Sequence, residues 1–160
     1  MSYIFDTNIF IRSKNDMPIN LWPSFWNKLQ QMVNDGCIYS CSKVKEEIER
    51  GNDELTKWIK DNAPASFFIG ADTEVLSQLR ETQNWANSNP IFRPTARNNY
   101  ADAADAYLVA TAKAKHLTLV TYETSDPTCQ KRVKIPDACD ALGVRYCDLN
   151  TVLRELNITI

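Results

Sequence analysis

The chain has few of the residues that break or cross-link a fold. Of its 160 residues only 4 are glycine and 7 are proline, which disfavours both a disordered chain and a fibrous repeat. Its 5 cysteines are an odd number, which does not suggest a disulfide framework. Cys37 and Cys41 lack a second close Cys or His pair of the kind that structural zinc requires. We interpret the cysteines as free thiols that pack as small apolar side chains.

Long apolar runs and an excess of basic residues are missing as well. No apolar run approaches the roughly 20 residues that span a bilayer, and residues 1–5 lack the basic and apolar regions of a secretory signal. We therefore expect a cytoplasmic protein without a membrane segment. The net charge of −2 is unlike that of a general nucleic-acid binder. It is compatible with a nuclease whose carboxylates surround a metal ion, because the ion supplies positive charge locally.

What the chain does contain is an alternation of short apolar strands with amphipathic helices. Strands are predicted at 2–6, 37–40, 66–69, 116–121 and 144–147, and helices at 21–34, 43–48, 53–61, from 72 onward, 100–115, from 135 onward and 148–157. The polar, proline-interrupted stretch 87–99 is predicted to be a loop. Ser42 is predicted to cap a helix, and Leu76 to face the core. This order predicts one α/β domain, residues 1–160, with a mainly parallel sheet.

Acidic residues fall where such a sheet forms its binding sites. Asp6 ends the first strand and Glu123 lies just past the fourth, and sites in open α/β sheets lie beyond the carboxyl ends of the strands. Glu47 lies in the helix after the second strand. Asp102 and Asp105 are expected in the first turns of the Ala-rich helix, on one face. Taken alone, each acid is better explained as a solvated surface charge, and Asp102 and Asp105 also as charges that favour the positive end of the helix dipole.

A set of carboxylates in this order suits a hard cation. Mg²⁺ or Mn²⁺ prefers oxygen ligands, and a divalent ion relieves the repulsion between converging carboxylates. Such an ion can orient a water molecule for attack on a phosphodiester. Thr7 and Asn8 are candidates to hold Asp6 or a metal-bound water by hydrogen bonds.

Basic residues offer candidate contacts for nucleic acid. Arg93 and Arg97 precede the Ala-rich helix, and Lys43 and Lys45 lie in the helix after the second strand. Arg and Lys position nucleic acids mainly through phosphates, so these four are candidate RNA contacts, although a solvated surface explains them nearly as well. The basic cluster at 131–134 is interpreted as a solvated face.

Four blocks of sequence resemble, in order, the motifs of PIN-domain ribonucleases. The blocks are Phe5-Asp6-Thr7-Asn8-Ile9, Val44-Lys45-Glu46-Glu47-Ile48, Asp105-Ala106-Tyr107-Leu108-Val109-Ala110-Thr111-Ala112 and Leu119-Val120-Thr121-Tyr122-Glu123. The tail, at 135–139, resembles a less characterised PIN-like branch that is often associated with toxin–antitoxin loci.

This resemblance implies a three-layer PIN-like fold, in which helices flank a parallel five-stranded sheet of order 3-2-1-4-5. It also implies an Mg²⁺- or Mn²⁺-dependent endoribonuclease that acts on RNA, as VapC-type toxins do. An antitoxin protein and a second copy of the chain are the partners that it suggests.

The resemblance also assigns roles to individual residues. It implies that the catalytic acids are Asp6, Glu47, Asp105 and Glu123. Of these, Asp6, Asp105 and Glu123 would be metal ligands. Further residues that would support the site are Thr7, Asn8, Asp102, Thr121 and Asp126. The fourth block has Glu123 where the family has Asp, so either Glu123 or Asp126 fills the fourth acidic position.

Two other functions remain open from the sequence. A haloacid-dehalogenase-type phosphatase also has an Asp after its first strand, but it needs a second Asp two residues on, and Asn8 stands there. A catalytically weak PIN-like module that binds RNA or protein is the other alternative, suggested by Glu123 and by the acidic isoelectric point.

Overall fold

A parallel sheet forms the centre of the structure. The computed structural model describes all residues from 1 to 160. The five strands are β1 (Tyr3–Phe5), β2 (Ile38–Cys41), β3 (Phe68–Ile69), β4 (Thr118–Val120) and β5 (Tyr146–Cys147). Every pairing is parallel, in the order β3-β2-β1-β4-β5. The predicted α/β fold and the strand order 3-2-1-4-5 are therefore confirmed.

Helices flank this sheet. They are α1 (Thr7–Asp16), α2 (Pro23–Asn34), α3 (Ser42–Gly51), α4 (Glu54–Asn62), α5 (Thr73–Ser88), α6 (Pro94–Asp102), α7 (Ala104–Lys115), α8 (Ile135–Leu142) and α9 (Leu149–Glu155), with a short 3-10 helix at Ala65–Phe67. No helix combines the length and the apolar character needed to cross a membrane.

The position of β1 determines where a site can form. Its three residues, Tyr3–Phe5, are fully buried, as expected of a central parallel strand that is covered on both faces. The chain leaves β1 toward β2 on one side and returns later to β4 on the other. The strand order therefore reverses between β1 and β4, and the crevice at their carboxyl ends is where ligands bind in folds of this kind.

The Ala-rich helix α7 packs tightly against its surroundings. Its residues Ala106, Leu108, Val109 and Ala110 have no solvent exposure, and the helix contacts α5, α8 and β2. Small alanine side chains allow this close approach, and they place the N-terminus of α7 near the end of β1.

The helix structure before α7 differs from the predicted one. Residues 94–102, most of which were predicted as loop, form α6, because Pro94 occupies the first turn, where its missing N–H costs nothing. The predicted continuous helix 100–115 is also wrong, since Ala103 adopts an extended conformation with ψ of 152° and ends α6. Helix α1 was not predicted at all.

Two local predictions are corrected by the structure. Ser42 is the first residue of α3 rather than its cap, and its hydroxyl donates to the Ile69 carbonyl at 3.3 Å, which ties the start of α3 to β3. Leu76 was expected in the core but is 49% exposed.

The buried and exposed leucines provide a test of the core. We expect Leu108→Ala to lower the free energy of unfolding by about 2–5 kcal/mol, because it leaves a cavity in a helix with no exposed apolar face. Leu76→Ala, the same substitution at an exposed helical position, should change it by less than about 0.5 kcal/mol. Urea unfolding curves give both values, and equal losses at the two positions would contradict this description of the core.

Candidate active site

Asp6 links the end of β1 to the start of α1. It is the N-cap of α1, and its Oδ1 accepts a hydrogen bond from the backbone N–H of Asn8 at 3.5 Å. Its Oδ2 accepts from the Thr121 hydroxyl at 3.1 Å. The residue is only 2% exposed. Both carboxylate oxygens therefore have a fixed direction inside the crevice between β1 and β4.

Thr121 connects Asp6 to the fourth acidic residue. While its hydroxyl donates to Asp6, its Oγ1 also accepts the backbone N–H of Glu123 at 3.1 Å. Thr121 is buried and directly follows β4, which pairs with β1. One side chain thus orients a carboxylate on one strand and the turn that leaves the neighbouring strand.

Glu123, and not Asp126, lies close to Asp6 and Asp105 in the structure. Its side chain is only 9% exposed, and its Oε2 accepts the backbone N–H of Ile135, the first residue of α8, at 2.7 Å. Asp126 is exposed, and its carboxylate accepts instead from the N–H and hydroxyl of Thr128 at 3.2 and 2.8 Å. Asp126 is therefore a turn residue and does not reach the other acids.

Asp105 brings α7 into the site. It is the second residue of that helix and its side chain is 24% exposed. The pKa of Asp105 is raised to about 6, mainly by burial and also by the charges of Glu123 and Glu47, while Arg132 acts in the opposite direction. Nη2 of Arg132 lies 3.6 Å from Oδ2 of Asp105.

Asp6 experiences the same electrostatic conflict more strongly. Its pKa is raised to about 7, mainly by burial and also by the charges of Asp105 and Glu123, whereas the hydrogen bonds from Thr121 and Asn8 oppose the rise. Three carboxylates from β1, α7 and the end of β4 are thus close enough to repel one another. A raised carboxylate pKa in a crevice is a common property of functional sites.

Glu47 lies at the edge of this group. It is exposed, and its Oε2 accepts a hydrogen bond from the Thr7 hydroxyl at 2.8 Å. Thr7 therefore holds Glu47 rather than Asp6. Asn8, whose side chain is exposed, supports Asp6 through its backbone N–H. Of the two residues predicted to hold Asp6, Asn8 does so through its backbone N–H, whereas Thr7 contacts Glu47 instead.

Asp102 does not join the acids in the way that was predicted. It is exposed and ends α6, and the extended residue Ala103 separates it from α7. Because Asp102 and Asp105 belong to different helices, the helical spacing that would put them on one face does not apply.

Three of the four predicted RNA-contacting residues interact with partners nearby in sequence. Lys43 pairs with Glu46 at 3.7 Å, and Lys45 with Glu49 at 3.8 Å. The Arg97 guanidinium donates to the Asn89 carbonyl at 2.7 Å, which orders the segment before α6. Arg93 is exposed.

Arg132 is the functional candidate that the sequence did not reveal. It was interpreted as part of a solvated face, yet it pairs with both Glu123 and Asp105. No local sequence pattern predicts this contact, because Arg132 lies in an irregular segment between β4 and α8. A separation of nine residues from Glu123 does not by itself predict a contact, because the contact depends on how the segment folds back toward the sheet.

The chemistry of these donors fits a hard cation. All of them are carboxylate oxygens, which Mg²⁺ and Mn²⁺ prefer, and the repulsion that raises the pKa values of Asp6 and Asp105 is the kind that a divalent ion relieves. In the arrangement of the structure, no group of three or more His, Cys, Asp or Glu side chains is placed so that it could hold a metal ion. The cation that contacts the acids is the Arg132 guanidinium.

Comparison with known proteins identifies a family. Residues 3–160 match the family described as "Domain of unknown function (DUF4411)". The chain belongs to this family. No curated protein matches this DUF4411 chain.

A solved structure shares the DUF4411 chain's fold. It is the crystal structure of VapBC2 from Rickettsia felis bound to a DNA fragment from their promoter. The alignment covers 92% of this chain and 98% of that chain, with a TM-score of 0.59 and 15% sequence identity. At that identity the likeness concerns the fold, and it supports the PIN-like architecture that the sequence motifs imply.

The Thr121 hydrogen bond has a measurable effect on Asp6. We expect Thr121→Val to raise the pKa of Asp6 above its value of about 7, by something on the order of one pH unit, because a bond to the charged form is lost. Carboxyl carbon NMR of metal-free protein measures this pKa. Thr111→Val is the matched control, since that buried hydroxyl donates to the Tyr107 carbonyl and does not contact Asp6. A lower or unchanged Asp6 pKa in Thr121→Val would contradict the assignment.

The raised pKa of Asp6 also predicts how stability depends on pH. The folded-state pKa of about 7 exceeds the unfolded value of about 3.9, so the folded state binds the proton more tightly. Asp6 therefore lowers stability as pH rises from about 4 to 7, and this loss is complete above pH 7. The free energy of unfolding of metal-free Asp6→Asn minus that of wild type should therefore be larger at pH 8 than at pH 4.5, by about 2–4 kcal/mol.

Urea unfolding of both proteins at the two pH values tests this expectation. Asp61→Asn is the control, because Asp61 is exposed and forms no ion pair. A difference between wild type and Asp6→Asn that is the same at both pH values would show that Asp6 ionises normally.

Proposed function

We propose that this protein is a metal-dependent endoribonuclease that hydrolyses RNA phosphodiesters with Mg²⁺ or Mn²⁺. The observation that carries the proposal is the group of mutually repelling carboxylates, Asp6, Asp105 and Glu123, at the crevice between β1 and β4. Burying such a group without function costs stability. A site that binds a divalent cation explains why the fold retains it.

The residues have distinct roles in this proposal. Asp6, Asp105 and Glu123 would hold the ion once their side chains close around it, since no three acids are placed to do so in the metal-free arrangement. Thr121 together with the Asn8 N–H keeps the Asp6 oxygens aimed into the crevice. When bound, the ion would polarise a water molecule and offset charge on the leaving oxygen.

Glu47 has a different position from the other acids. It is exposed and held by Thr7. A carboxylate there can orient a water molecule or accept its proton, without being fixed to the ion.

RNA is the substrate that the sequence motifs favour. The four motif blocks contain Asp6, Glu47, Asp105 and Glu123, and the family that they resemble acts on RNA. Arg93 is exposed and close in sequence to α6, so it is a candidate phosphate contact. Arg97, Lys43 and Lys45 remain weaker candidates, because each already has a local partner.

A toxin–antitoxin role is the biological setting that we propose. The tail resembles the branch associated with such loci, and the structural neighbour is named VapBC2, from a complex bound to promoter DNA. An antitoxin partner, a cytoplasmic location and a homodimer follow from this proposal.

One observation favours a second function, a PIN-like module that binds RNA or protein without cutting. The Arg132 guanidinium pairs with both Glu123 and Asp105, and a side-chain cation in this position can take the structural place of a metal ion. The two functions differ in whether a divalent ion binds at all.

Metal binding and RNA cleavage test the proposal together. We expect millimolar Mn²⁺ to raise the melting temperature of EDTA-treated protein and to support cleavage of single-stranded RNA. Asp105→Asn should abolish the thermal shift and reduce cleavage by at least about a hundredfold, because outer-shell partners of a metal already contribute ~10–100-fold.

Asp61→Asn again serves as the control, and both of its readouts should equal those of wild type. Absence of any Mn²⁺-dependent thermal shift in the wild-type protein would favour the binding module instead. Release of phosphate from a generic monoester that depends on Asp6 would favour the phosphatase.

A further inference from the structure

Arg132 occupies the acidic site as a cation supplied by the chain itself. Its guanidinium contacts Oε1 of Glu123 and lies 3.6 Å from Oδ2 of Asp105. None of the other basic side chains forms an ion pair with Asp6, Glu47, Asp105 or Glu123. Arg132 is thus the one positive side chain that offsets the charge of this group.

The backbone around Arg132 is fixed, which makes the contact a built feature. Val133 is 2% exposed and Ile135 fully buried, so the residues that follow Arg132 are anchored in the core. On the other side, the Arg93 N–H donates to the Gln130 carbonyl at 3.0 Å. The segment therefore presents residue 132 to the acids from a defined position.

The side chain of Arg132 keeps access to solvent. It is 52% exposed, whereas the Glu123 side chain that it covers is almost completely buried. A long, flexible side chain on a fixed backbone can leave the carboxylates and enter water without unfolding the segment. The Glu123 carboxylate would still accept the Ile135 N–H at 2.7 Å.

Both Glu123 oxygens and one Asp105 oxygen are engaged while Arg132 is in place. Oε1 of Glu123 and Oδ2 of Asp105 face the guanidinium, and Oε2 of Glu123 faces the start of α8. A divalent ion that needs these oxygens competes with Arg132 in two ways, because it takes the same lone pairs and because the two cations repel each other.

We propose that Arg132 is the resident counter-ion of the acidic site, and that a divalent cation binds there by displacing it from Asp105 and Glu123. The identity of the incoming cation rests on the proposed function, whereas the role of Arg132 as counter-ion rests on the contacts alone. In the metal-free state Arg132 then offsets part of the negative charge of the acids from within the chain.

Metal affinity of charge-removing variants tests this exchange. Arg132→Gln removes the competing charge, so the Kd for Mn²⁺ of EDTA-treated protein, measured by calorimetry at pH 7.5, should become at least about tenfold tighter, a change equivalent to ~1.4 kcal/mol. Lys131→Gln removes the same charge from the neighbouring exposed residue, which has no ion pair, and should change the Kd by less than about twofold.

Two further measurements separate competition from a structural role. Arg132→Gln should melt at a lower temperature than wild type without metal and gain a larger shift from Mn²⁺, because the acids lose their counter-ion. Arg132→Lys keeps the charge, and its Mn²⁺ affinity should stay nearer to that of wild type than to that of Arg132→Gln. Circular dichroism of each variant confirms that it is folded.

An unchanged or weaker Mn²⁺ affinity in Arg132→Gln would overturn the inference, as would the absence of Mn²⁺ binding in both proteins. The proposed function fails separately. If Mn²⁺ binds and the variant shows the predicted gain in affinity, but neither protein cuts RNA, then the exchange stands and the ribonuclease activity does not.

Discussion

The parallel pairing of β1 with β4 is the interaction on which the site depends. Phe5 lies opposite Val120, and the Asp6 N–H donates to the Val120 carbonyl at 3.0 Å. This register sets Asp6 beside Thr121, which in turn holds the turn that carries Glu123. A shift of the register by one residue would reverse the direction of every side chain on the strand and would separate the acids. The site is therefore as precise as the central sheet pairing.

The same pairing creates an electrostatic problem that the rest of the structure manages. It buries Asp6 and brings Asp105 and Glu123 close to it, so that the negative charges of its neighbours oppose the ionisation of Asp6 and of Asp105. Hydrogen bonds from Thr121 and from the Asn8 N–H stabilise the charged form of Asp6, and the Ile135 N–H donates to Oε2 of Glu123 and orients its carboxylate. Backbone and hydroxyl donors orient these carboxylates without competing strongly for a metal, whereas a guanidinium carries a full charge and does compete.

Sequence patterns predicted the elements of the fold and the positions of the acids because both depend on local information. Hydrophobic periodicity predicted the strands. An acid that directly follows a parallel strand must then lie at the carboxyl edge of the sheet. Helix α6 and the break at Ala103 were not predicted, because a proline at the first turn of a helix and a proline in a loop look alike in sequence. The partner of Thr7, which is 40 residues away, and the partners of Arg132 depend on tertiary packing and have no periodic signal.

The departure of the fourth motif from its family and the presence of Arg132 are two parts of one arrangement. Glu123 stands where the resembled family has Asp, and its longer side chain spans from the end of β4 to the Ile135 N–H and to Arg132 at once. An aspartate, shorter by one methylene group, would draw its carboxylate back toward Thr121 and could not hold both contacts in the same geometry. Glu123 thus joins the sheet edge to the start of α8, and Arg132 offsets the negative charge of its carboxylate.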